Sequence, residues 1–278
     1  MKKNYTKILF AIGFLIFIFP FVIRLISYFN QTTVVYNYKS SLEKLTESEK
    51  EQRRNESEEY NNKIADEKPV ITMADEEFEA EPVSTFDFLK TGTVIGTLTI
   101  PSLDVNLPIY DGLEDNNLQK GVVHLDYTSY PTGQASTHCI LAGHSGLTRA
   151  KILDDADKLQ IGDNFQVEYL NETNNYEIID IKIVLPYETE SLKIIDNETL
   201  VTLVTCTPKG INTHRLLITG KKVPMPQQEL TQKEKIIKYI KEHIIFIVIC
   251  LVAIILVTIL IFLLIKNNKK IFKSKNKI

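Results

Sequence analysis

The chain has 278 residues, 44% of them hydrophobic and 24% charged, with a formal net charge of -3. That balance fits one globular domain plus appendages, and it leaves no strongly basic field for phosphate, which excludes a nucleic-acid binder.

The first apolar tract, Ile8 to Ile23 (ILFAIGFLIFIFPFVI), follows Lys2, Lys3 and Lys7. It reads as a signal peptide or an uncleaved anchor, and the absence of an A-x-A-like site downstream favours the anchor. From Val34 to Asp66 the sequence is rich in Glu, Lys and Arg and lacks proline and glycine, the pattern of a solvated helix. A plain spacer explains it as well as a binding role does. Asp66 to Lys90 is acidic and proline-punctuated without sustained periodicity, as expected of a long loop or covering segment.

Gly92 to Val223 has the texture of a β domain, with short runs of Val, Ile, Thr and Tyr between turn residues. Strands are expected at Val94–Ile100, Leu107–Asp111, Thr137–Ala142, Asn164–Leu170, Tyr176–Leu185, Leu200–Thr205 and Arg215–Lys222, and a helix at Ala150–Leu159. So many short strands point to a mainly β fold, a closed barrel or sandwich that removes exposed edges. Residues 224–243 form a linker. Ile244 to Ile265 is uncharged and long enough for a bilayer core of roughly 30 Å. The tail at 266–278 is rich in lysine. Basic residues flank both spans, which places both termini in the cytoplasm and the middle of the chain outside the membrane.

Three cysteines are present, and Cys250 falls within the second span. Cys206 ends an alternating run, LVTC, and enters the polar stretch TPKGINTHR, the setting of a reactive thiol near positive charge. His144, in LAGHSG, stands where another strand meets a Gly-flanked turn. If those strands are parallel neighbours, both side chains emerge at one rim. Cys139 would then lie roughly 16 Å from that rim, too far for a disulfide to Cys206. Arg215 opens the next strand and offers a charged fork for a carbonyl or oxyanion. His124 and His138 read as structural hydrogen-bonding residues, His214 as a surface residue and His243 as a span flank. No Gly-rich phosphate loop and no Cys-x-x-Cys or His-x-x-x-His spacing occurs, so neither a cofactor nor a metal is expected.

TLVTCTP (Thr202 to Pro208), LAGHSG and the pair His214-Arg215 together resemble the Cys, His and Arg signatures of sortases, the cysteine transpeptidases of Gram-positive cell surfaces. Ile95 to Gly112 and Gly121 to Gly146 are similar to that family's barrel strands in the same order. The resemblance covers about Thr91 to Val223. It implies a closed sortase-like β-barrel with Cys206 as nucleophile, His144 as general acid/base and Arg215 as stabiliser of the acyl intermediate. The long segment before the barrel and the span after it resemble class C, the pilin-polymerising sortases. A class C lid usually carries an Asp-Pro-aromatic motif; 66–90 offers Asp75 and Phe78 without that triplet.

The resemblance implies domains at 1–29 (anchor), 30–65 (juxtamembrane helix), 66–90 (lid) and 91–223 (barrel), followed by the linker, span and tail. It also implies a membrane-bound enzyme that cleaves LPXTG-like sorting signals and passes the acyl group to an amine. That amine is a pilin lysine, or a cell-wall precursor in a housekeeping enzyme. A papain-like hydrolase is disfavoured because its cysteine starts a helix. A non-catalytic surface scaffold is the rival from another class, and it predicts an inert thiol.

Overall fold

The structure, a computed structural model, describes residues 2–67, 69, 71, 93–147 and 150–225. Eight strands close into a barrel: β1 (Val94–Ile100), β2 (Val105–Asp111), β3 (Val122–His124), β4 (Thr137–Ala142), β5 (Asn164–Tyr169), β6 (Glu172–Val184), β7 (Thr199–Thr207) and β8 (His214–Val223). Their order around the barrel is β1-β2-β3-β4-β7-β8-β6-β5. Two neighbouring pairs, β2 with β3 and β4 with β7, run parallel; the rest are antiparallel.

Alternation along the strands sorts side chains between two apolar clusters. Inside the barrel lie Leu98, Ile109, Cys139, Leu141, Phe165, Val201, Leu203 and Ile218, among others. Gly220 lets β8 pass beside the Phe165 ring, because a Cβ there would sit 2.5 Å from a ring carbon. Residues of opposite parity on β4, β7 and β8 (Ile140, Val204 and Leu217) form a second cluster with Tyr110, Val123, Leu125 and Leu192. This outer face leads to the candidate site.

Two helices precede the barrel, α1 (Lys2–Glu43) and α2 (Glu47–Glu67). α1 is continuous, contains Pro20, and includes a stretch, Ile16–Glu43, long and apolar enough to cross a membrane. The expectation of one solvated helix over 34–66 is corrected in two respects. The helix is broken after Glu43 by a capping box: Glu49 accepts from the Thr46 N–H at 2.7 Å, while the Glu49 N–H donates to the Thr46 hydroxyl at 3.2 Å. Both helices also dock on the barrel. In α1, Gln31, Val35, Tyr38 and Leu42 are buried, a spacing that keeps one face turned inward. The Tyr38 hydroxyl donates to the Ile95 carbonyl at 2.5 Å, where a bulge in β1 leaves Ile95 outside the β2 register.

α2 is polar nearly all round, yet Ser57, Tyr60, Asn61 and Ile64 are buried. Asn61 accepts from the Tyr130 N–H at 2.7 Å and donates to the Tyr130 carbonyl at 3.1 Å. Ser57 and Tyr169 share a hydroxyl–hydroxyl bond at 2.5 Å. Lys39 pairs with Glu168 at 2.6 Å, and Arg54 pairs with Glu172.

The helix expected at Ala150–Leu159 is also corrected: only a short 3-10 turn, Ala156–Lys158, forms there. Polar groups of 150–159 reach outside it, while Asp155 bonds within it. The Leu153 N–H donates to the His144 carbonyl at 3.0 Å, the Asp154 carboxylate caps Gly146, and Asp155 holds Lys151 and Lys158, each at 2.7 Å. Strand β3 and the early start of β2 at Val105 add to the expected strands. The expected span at Ile244–Ile265, its flanking linker and the basic tail lie outside the described residues.

Candidate active site

Six consecutive pairs, from Thr137↔Thr199 to Ala142↔Val204, hold β4 and β7 in parallel register. Both strands therefore point the same way, and the chain leaves both at the same end of the barrel. His144 follows β4 by two residues, and Cys206 follows Val204 by two, so they reach the same level. Cys206 shares parity with Val204 in β7, which places it on the outer face, and His144 continues the parity of Ile140 and Ala142 just past the end of β4. Arg215 is the cross-strand partner of Cys206 in the β7–β8 ladder. Opposed residues in such a pair have Cβ atoms about 4.5–5.5 Å apart. The structure thus brings His144, Cys206 and Arg215 to one rim, ahead of an apolar floor made by Ala142, Val204 and Leu217.

Each group is held by local bonds. Arg215 is 4% exposed, and its guanidinium donates to the Asn212 carbonyl at 3.1 Å, which keeps the fork beside the strand end. Cys206 and His144 are both partly exposed. The turn after His144 relies on Gly146, whose φ of 80° suits glycine. A Cβ there would lie 3.7 Å from the Gly210 backbone, so this turn and the loop after Cys206 sit side by side. Lys209, in the loop after Cys206, also reaches Asp157 in the 3-10 turn at 2.9 Å.

Cys139 and Cys206 are both free thiols. Cys139 pairs with Val201 inside the barrel, where full burial pushes its thiol well above the ordinary range. His138 is buried and neutral. Its Nδ1 faces the Lys193 carbonyl at 2.9 Å and its Nε2 faces the Thr202 hydroxyl at 2.7 Å, and burial lowers its pKa to about 4. His124 is likewise internal, placed between the Asp111 carboxylate at 3.1 Å and the Ser129 carbonyl at 3.2 Å. His214 is half-exposed beside the Thr213 hydroxyl at 2.9 Å. Among the described residues no group of His, Cys, Asp and Glu side chains is arranged to hold a metal. Asp75 and Phe78, the lid candidates, lie outside the described residues.

One residue at the rim escaped the sequence reading. The Ser145 hydroxyl donates to the Cys206 carbonyl at 2.6 Å. Its only sequence signal is adjacency to His144, and its partner becomes apparent only once the β4–β7 register is known.

Comparison with known proteins agrees with this architecture. The family model for the Sortase domain matches residues 98–223. A sortase C from Clostridium perfringens, solved with the C-terminal cell wall sorting motif, superposes with a TM-score of 0.63 at 33% identity, covering 70% of this chain and 100% of that one. Sortase C1 from Streptococcus agalactiae, solved in complex with MTSET, gives 0.64 at 35% identity, covering 70% and 98%. Among curated proteins, sortase D of Bacillus subtilis is 30% identical over 137 residues, 48% of this chain and 66% of that relative's length. A closed eight-stranded barrel with these structural relatives places the chain in the sortase family, most like the class C sortases.

Proposed function

We propose that the chain is a membrane-tethered cysteine transpeptidase acting on LPXTG-like sorting signals, with Cys206 as nucleophile, His144 as general acid and base, and Arg215 as oxyanion or substrate-carbonyl donor. The observation that carries this reading is the parallel β4–β7 register, which brings the thiol and the imidazole to one level, next to an arginine across the hairpin. The Cys206 thiolate attacks the threonine carbonyl, and the developing oxyanion faces the Arg215 fork. Collapse breaks the Thr–Gly bond as His144 gives a proton to the leaving amine. An incoming amine then attacks the thioester, His144 takes its proton, and the thiolate is released.

A sortase C1 of a pilus island and a Streptococcus pneumoniae sortase C described with pilin substrate specificity favour a pilin as acceptor, and a pilin lysine as the amine would make the product a polymer. Transfer to a cell-wall precursor is the alternative within the same chemistry. α1 supplies one tether, and the 244–265 tract is proposed as the second, with the barrel outside the cell. The test incubates the full-length chain in detergent with a sorting-signal peptide and follows cleavage and acyl-enzyme mass. Wild type should carry the acyl group on Cys206, and Cys206→Ala should neither cleave nor acylate. Cleavage by Cys206→Ala would overturn the reading; candidate pilins in place of the peptide separate ladder formation from simple anchoring.

A further inference from the structure

A parallel ladder repeats every two residues along each strand. The last regular rung between β4 and β7 runs from the Gly143 N–H to the Val204 carbonyl, 2.9 Å. The next donation from the β4 side would run from the Ser145 N–H to the Cys206 carbonyl. That rung is replaced, because β4 ends at Ala142 and the chain turns away. The Leu153 N–H donates to the His144 carbonyl at 3.0 Å, and the Gly146 N–H donates to Asp154. The Cys206 carbonyl receives the Ser145 hydroxyl instead, at 2.6 Å.

We propose that Ser145 is a positioning residue for the transpeptidase reaction, its hydroxyl replacing the lost rung and tying the nucleophile's own backbone to the turn that carries His144. A backbone donor would hold residue 145 in the strand and forbid the turn at Gly146. A side-chain donor reaches farther, so the backbone leaves the sheet early while the two catalytic segments stay bonded. Ser145 is 9% exposed, so water competes little for the bond. The turn is also anchored to 150–159, and the Ser145 hydroxyl bonds the residue that follows His144 directly to the residue that carries the thiol. The inference rests on the roles proposed above for Cys206 and His144.

The experiment uses the full-length chain in detergent and measures kcat and KM for cleavage of a sorting-signal peptide. Ser145→Ala should lower kcat about 3- to 10-fold, the range of one neutral hydrogen bond, with KM unchanged. Ser145→Thr, which keeps the hydroxyl, should retain the rate, and the isosteric Ser145→Val should lose it. Because Thr and Val crowd the site equally, their comparison decides the matter even if the alanine variant folds poorly. Thr199→Ala is the control: it removes a 2.9 Å hydroxyl bond to the Gln134 carbonyl at the far end of the same strand and should leave kcat unchanged. Wild-type kcat in Ser145→Ala, equal rates in the Thr and Val variants, or an equal loss in Thr199→Ala would each overturn the inference. If Cys206→Ala still turns over, the reading of the site fails and the inference falls with it. Wild-type kcat in Ser145→Ala beside an inactive Cys206→Ala overturns the inference alone.

Discussion

Cys206 and Arg215 are direct cross-strand partners in the β7–β8 hairpin, so the sheet itself sets the approach of guanidinium to thiol. Such a pair needs no loop closure to assemble. Arg215 is buried and its Nη1 is occupied by the Asn212 carbonyl at 3.1 Å, so the fork is held in orientation. A lysine keeps the charge but offers a mobile point donor in place of parallel N–H groups. Arg215→Lys is therefore expected to lose about 10²-fold in kcat/KM, as when an oxyanion donor is removed. Steady-state cleavage of a sorting-signal peptide checks this, and near-normal turnover would show that charge alone suffices.

The two described thiols should differ sharply in reactivity. Cys206 is partly exposed at the rim, whereas Cys139 is 1% exposed and burial disfavours its thiolate. A charged, membrane-impermeant thiol reagent should modify folded wild type and Cys139→Ala at the same rate. Cys206→Ala should show essentially no modification before unfolding. Mass spectrometry of the labelled full-length chain reads the outcome, and modification of Cys139 in the native state would contradict the assigned burial.

His138 predicts an acid-side loss of stability. Its folded pKa is lowered to about 4 by burial, against about 6.5 for an exposed histidine. Between those values the unfolded chain binds the extra proton and the folded chain does not. The contribution is fully present above about pH 6.5, falls as pH drops, and levels off below about pH 4, a change of about 3 kcal/mol. Thermal unfolding in detergent from pH 4 to 7 measures it. His138→Gln should have a flatter profile over that window, and identical slopes in the two proteins would remove His138 as the cause.

Asn61 is the central polar contact between α2 and the barrel. It bonds both the N–H and the carbonyl of Tyr130, and it donates to the Thr132 hydroxyl at 3.1 Å. Asn61→Ala strands these buried groups, at a cost of about 1–3 kcal/mol. Amide exchange should accelerate throughout α2 while β4 and β7 remain protected. Unchanged exchange in α2 would show that Tyr60 and Ile64 alone hold the helix.

Elements with a strong local pattern were legible before the fold was known. β7 alternates as LVTC between inward Leu203 and outward Val204 and Cys206, so its strand character and the placing of the thiol near its end follow from period 2. β3 has only three residues, too few for any period to register. The docking of α2 was hidden for a different reason: a helix this polar looks solvated, and the partners of Ser57 and Asn61 lie 112 and 69 residues away. The helix break did have a local mark, Thr46-x-x-Glu49, obscured by the even Glu/Lys/Arg texture around it. The expected helix at Ala150–Leu159 failed where Asp154 and Asp157 bond outward, to Gly146 and to Lys209, a choice that propensity does not weigh.

α1 carries its apolar tract and its barrel-facing turns on one uninterrupted rod. From Ile23, where the tract ends, to Gln31, the first residue buried against the barrel, the rise is about 12 Å. A flexible leash would let the barrel roam and tumble above the lipid. If α1 is the proposed membrane tether, a rod locked by Tyr38 and Leu42 instead assigns the rim a set altitude and compass heading. Under the proposed function, search then falls to the substrates, which must bring their cleavage site to that height, and acceptors would meet the thioester from the same side each time.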